Sequence, residues 1–154
     1  MRPTRWWLLL VAAVVAGAVA YVVTRSSYDE LPSPSVGALV GLALLAISEC
    51  YIAVMTRARL AGRAGTRPID PLAVARFVAL AKASSIVGAL AAGGYAGFLA
   101  WVARLGSPAA NRDTTTSGLG VAMALLLVAA ALFLERVCRV PKGPDDDEWP
   151  PAEA

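Results

Sequence analysis

Four apolar runs separated by arginine-bearing segments decide what this chain can be. The runs cover residues 6–23, 36–55, 75–102 and 119–134. At about 1.5 Å of rise per residue, each is about long enough to cross ~30 Å of hydrocarbon. A soluble domain of 154 residues has no use for four such runs, because it must turn polar helix faces toward water. The chain reads as an all-α integral membrane protein, a four-transmembrane-helix bundle occupying residues 1–140. Its 58% hydrophobic content leaves no room for a separate soluble domain.

The segments between the runs assign an orientation. Arg2 and Arg5 precede the first run, Arg57, Arg59, Arg63, Arg67 and Arg76 surround the second connection, and Arg136, Arg139 and Lys142 follow the fourth run. These ten outweigh the three on the first and third connections, Arg25, Arg104 and Arg112; the remaining one, Lys82, lies inside the third run. Cytoplasmic segments carry the excess of Lys and Arg, so both termini and the second connection are expected in the cytoplasm of a plasma membrane. Arginine outnumbers lysine twelve to two amid abundant alanine, valine and glycine, a bias of GC-rich bacterial genomes. The first run has a competing reading as a secretory signal, with Ala18-Val19-Ala20 as a cleavage site. The apolar run continues through Val23 and opens on the interfacial pair Trp6-Trp7, which favours a retained span.

Local signals place the helix ends. Ser35 is the expected cap of the second helix, after the Pro32 and Pro34 turn. Asp70-Pro71 is a cap-and-proline start for the third, whose helical pattern continues to about Ala103. That is longer than a bilayer needs, so its first two turns, with Arg76, are expected to project from the membrane. Residues 104–117 read as an irregular polar connection, with Thr116 or Ser117 capping the fourth helix. Residues 141–154, rich in proline and acid, read as a disordered tail.

Glu49 stands out because a carboxylate about two turns inside a membrane helix must pair, face a polar cavity or hold a proton. Lys82 falls at comparable depth on the third run, so an intramembrane Glu49–Lys82 ion pair is expected, with Arg76 as the alternative partner. A clasp between helices is the structural use of such a pair, and a coupling site for transport is the functional one. Ser85, Ala89, Gly93 and Gly97 recur every four residues and give the third helix a face that a neighbouring backbone can approach closely. Packing inside the bundle is favoured for that face over homo-oligomer formation. Asp145, Asp146, Asp147, Glu148 and Trp149 form an acidic cluster that could contact a partner or simply keep the tail solvated.

Several chemistries are disfavoured. The chain has no histidine, which removes the usual general base and metal ligand, and no metal or cofactor site is expected. Ser84 and Ser85 have no accompanying base other than Lys82, so the protein is read as non-enzymatic. Cys50 and Cys138 lie outside any metal-like spacing, and a disulfide between them is not expected in a reducing compartment. A net charge of +3 does not point to nucleic acid; the basic residues sit where lipid headgroups are their natural neighbours.

The opening Met1-Arg2-Pro3-Thr4-Arg5-Trp6-Trp7, the turn Leu31-Pro32-Ser33-Pro34, the stretch Ile69-Asp70-Pro71, and Ala75-Arg76 through Lys82-Ala83-Ser84-Ser85 together resemble an uncharacterised actinobacterial family of four-span membrane proteins. The resemblance covers nearly the whole chain apart from the acidic tail. It implies a membrane location and, because such genes often neighbour folate-biosynthesis genes, a loose link to pteridine metabolism. It implies no catalytic motif. The expected role is an accessory or scaffold presenting the basic second connection and acidic tail to a membrane or cytoplasmic partner. A small transporter or transporter subunit using Glu49 is the alternative.

Overall fold

The computed structural model describes residues 6–30, 34–60 and 71–138. They form four helices, α1 (Trp6–Ser27), α2 (Val36–Leu60), α3 (Pro71–Val102) and α4 (Pro108–Val137), with a short 3-10 turn, Tyr28–Glu30, after α1. All four are long and apolar enough to span a membrane. At about 1.5 Å per residue α1 is about 33 Å long and α3 about 48 Å, so α3 outruns ~30 Å of hydrocarbon by several turns.

Contacts between helices follow the order α1–α3–α4–α2 rather than chain order. The central pair is more enclosed: 28% of the apolar window of α3 and 33% of that of α4 are buried, against 11% for α1 and 17% for α2. α3 and α4 are antiparallel, with Gly88 over Ala124 and Val128 and Gly120 against the Tyr95 ring. α1 and α3 run parallel at a constant offset, Ala13 beside Gly93, Gly17 beside Gly97 and Tyr21 against Trp101. Ala53 of α2, Ala81 of α3, and Leu134 and Cys138 of α4 share one buried cluster. The C-terminal ends of α2 and α4 and the N-terminal ends of α1 and α3 therefore lie at one end of the bundle.

Helix ends follow local chemistry. The Ser35 hydroxyl accepts from the Ala38 amide at 3.3 Å and caps α2 as its sequence indicates. α3 begins at Pro71; its expected cap, Asp70, lies outside the described residues. The expectation for residues 104–117 is overturned. α4 begins at Pro108, and Ser107 is its cap, accepting from the Ala110 amide at 3.1 Å. Thr116 and Ser117 lie well inside the helix. Ser107-Pro108 repeats the cap-and-proline signal of Asp70-Pro71. The threonines after it are compatible with a helix because the Thr115 and Thr116 hydroxyls donate to the Asn111 and Arg112 carbonyls, four residues back. The apolar run 119–134 marked only the hydrocarbon-crossing part of α4. The chain reverses between α3 and α4 in a few residues, with Gly106 at φ 63°, a conformation that favours glycine.

Candidate functional site

α2 turns Leu39, Ala46, Glu49, Ala53 and Thr56 inward, a three-to-four-residue rhythm that sets Glu49 on its buried face. Glu49 is 0% exposed. The Ser84 hydroxyl of α3 faces its carboxylate, yet neither Oε1 nor Oε2 has a hydrogen-bond partner among the described residues. Neither Lys82 nor Arg76, the expected ion-pair partners, is hydrogen-bonded to the carboxylate. Helix geometry explains this. α3 presents Ser84 to Glu49, and Lys82, two residues earlier, points about 200° away around the axis. Arg76 is eight residues from Ser84, about 12 Å along α3, and exposed. Lys82 makes an interaction of its own. A sealed carboxylate without a partner is costly in a membrane, and residues of this kind mark proton and ion pathways.

The serine beside Ser84 has a simpler fate, as the Ser85 hydroxyl donates to the Lys82 carbonyl at 2.9 Å. Ser85 and Ala89 are buried on α3. Gly93 and Gly97 meet α1: a Cβ built on either would collide with the backbone carbonyl of Ala13 or Gly17. The expected glycine face is thus used within the chain. Its counterpart, Ala13 and Gly17 four residues apart in the first run, was legible in the sequence and missed.

Two more buried polar groups went unforeseen. Ser117 of α4 is enclosed, and its hydroxyl has no partner among the described residues. Glu135, near the end of α4, is buried while its neighbour Arg136 is exposed. Among the described residues no three His, Cys, Asp or Glu side chains gather as a metal set. Cys50 is exposed, Cys138 is buried, and both are free thiols. The acidic cluster Asp145, Asp146, Asp147, Glu148 and Trp149 lies outside the described residues, as does the loop 61–70.

At the other end of the bundle an aromatic group ties α1 to its neighbours. The Arg25 guanidinium sits 6.0 Å over the Trp101 ring, and Tyr21 meets the same ring edge-on at 5.9 Å. The Tyr28 hydroxyl donates to Asp113 of α4 at 3.0 Å, and its ring lies 6.2 Å from Phe98. No motif marked these residues; the extension of α4 down to Pro108 is what brings Asp113 within reach.

A family model described as a protein of unknown function (DUF3180) matches residues 9–142. The chain belongs to that family. The match takes in all of α2, α3 and α4 and most of α1, so the DUF3180 region includes Glu49 and the α1–α3 contact. It leaves out the opening Met1 to Leu8, where part of the resemblance had been read, and nearly all of the acidic tail. No curated protein and no solved structure matches the chain.

Proposed function

We propose that this DUF3180 protein is a small, non-enzymatic protein of a bacterial plasma membrane with both termini in the cytoplasm. It serves as an accessory or scaffold for a membrane or cytoplasmic partner. The observation that carries this reading is the gathering of four helix ends at one end of the bundle. Ten of the fourteen Lys and Arg residues flank those ends, and the chain leaves α4 there toward its acidic cluster. Basic residues next to those ends in sequence, followed by an acidic cluster after α4, give a charge pattern that a partner can read. The test compares the intact chain with one ending at Lys142, each purified from native membranes in mild detergent. A stoichiometric partner retained by the first and lost by the second is expected. Equal recovery with both would remove the tail from the reading.

Glu49 favours a second reading, a transporter subunit in which this carboxylate takes up a proton or cation. Glu49 is fully enclosed where α2 meets the central pair, so this role requires further copies or another subunit to supply a path. Glu49→Gln separates the two readings. An accessory keeps its partner and shows no flux phenotype, whereas a transport subunit keeps its fold and loses flux.

A further inference from the structure

Two cavities at the Arg25 end of the bundle lie one above the other. The lower is a groove of about 570 Å³ between α1 and α3, walled by Ala16, Ala20 and Val23 on one side and Gly94, Tyr95 and Phe98 on the other. It is almost wholly apolar and open along its side. The upper, of about 330 Å³, is lined by Arg25, Tyr28, Glu30 and Trp101. Tyr28 of the upper cavity and Phe98 of the lower are in ring contact, so the two spaces adjoin. The pair is an apolar groove leading to a polar mouth at the end of α1.

We propose that the paired cavities bind one phospholipid with a phosphoethanolamine headgroup. The charges at the mouth select it. Arg25 and Glu30 line the same cavity, and among the described residues no ion pair joins them, which presents a cation and an anion to a headgroup that carries both. Arg25 rests on the Trp101 face, a contact that uses the flat side of the guanidinium and not its edge N–H donors, the groups that meet a phosphate. The Glu30 carboxylate accepts from a primary ammonium, which offers three donors. A choline headgroup has none, and the Trp101 face that could bind it is occupied. A glycerol headgroup supplies no positive charge for Glu30. Below the mouth, the groove has room because Gly94 carries no side chain: a Cβ built there meets nothing within 4 Å.

The test is native mass spectrometry of the purified full-length protein, titrated with phosphatidylethanolamine, phosphatidylcholine and phosphatidylglycerol of identical chains. One phosphatidylethanolamine is expected to be retained about tenfold more tightly than either other lipid, the effect of one charge-assisted hydrogen bond. Gly94→Leu fills the groove and is expected to abolish that adduct with helix content and melting unchanged; Ala91→Leu fills the same groove should the first variant fold poorly. Arg25→Gln is expected to weaken the adduct about tenfold, and Glu30→Gln to erase the preference over phosphatidylglycerol. Equal retention of the three lipids by the unaltered protein, or an undiminished adduct in a folded groove-filled variant, overturns the proposal.

Discussion

The two flanking helices are attached to the central pair in opposite ways. α1 lies on α3 backbone against backbone, with Ala13 and Gly17 carbonyls occupying the space that side chains at Gly93 and Gly97 would need. α2 lies on α4 and reaches α3 with a face that includes a sealed carboxylate. In lipid there is no hydrophobic drive between apolar helices, so association rests on close packing and polar contacts. The α1 contact is an optimised solution of that kind. The α2 contact is not, because replacing Glu49 with any apolar residue of similar size would pack as well without an unpartnered polar group. Stability accounts for the first contact and fails to account for the second, which is what the transporter-subunit reading draws on.

The largest expected effect breaks the first contact. Gly93→Val puts a branched side chain into the Ala13 carbonyl, and backbone cannot yield as a flexible side chain does. A loss of about 3 kcal/mol, the upper part of the range for overpacked interiors, is expected in detergent melting experiments. The adjacent Gly94→Ala is the control: its Cβ enters open space, so melting stays the same or rises slightly. Equal loss for both variants would mean that helix propensity or insertion, and not the α1 contact, governs the result.

The second effect has the opposite sign. Glu49→Leu is expected to raise stability by about 1–3 kcal/mol, the usual cost of a buried polar group without a partner. Glu49→Gln should change it less, because an amide still leaves donors and an acceptor unmatched. A fall in stability for Glu49→Leu would mean that the carboxylate is held by a partner in the membrane, and the contrast between the two flanks would collapse.

How much of this was legible follows from the same physics. Helix number and span came directly from the apolar runs, since length against bilayer thickness is a sufficient signal. Pairing did not. Comparable depth set Lys82 beside Glu49, and depth says nothing of which way either side chain points. Membrane helices that are apolar all round carry no polar face to show which way they point. Pairing is then decided by small residues, and Ala13 and Gly17 matching Gly93 and Gly97 was the one readable clue. α4 begins eleven residues before its apolar run because polar turns beyond the hydrocarbon still form helix when capped, as Ser107 and Pro108 do. The Tyr28–Asp113 and Arg25–Trp101 contacts depend on that extension and on the α1–α3 register, so no local pattern could announce them.

The α1 side carries a further tether, and it sharpens the comparison at smaller scale. Tyr28→Phe deletes the hydrogen bond to Asp113 and keeps the ring against Phe98. A loss of about 1 kcal/mol is expected, and Asp113→Ala should add little on top of it, because the two act as one contact. Additive losses would show that the end of α1 is fixed by packing alone.

The smallest effect reports on the α2 side. Cys138 closes the cluster formed with Ala53, Ala81 and Leu134, and burial pushes its thiol above the ordinary value. The folded protein therefore keeps the proton to higher pH than the unfolded chain does. Stability from the buried thiol is intact below about pH 8.5, the ordinary thiol value, and is lost as pH climbs through the raised folded value. In a Cys50→Ala background, melting temperature should fall more steeply from pH 7 to pH 10 with Cys138 present than with Cys138→Ala. Tyrosine and lysine titrations are common to both proteins and drop out of the difference. Parallel curves would mean that the end of α4 stands open to water. The α2 flank would then be loose at the end where Glu49 is sealed, and the cost of that carboxylate could be relieved by local opening of α2.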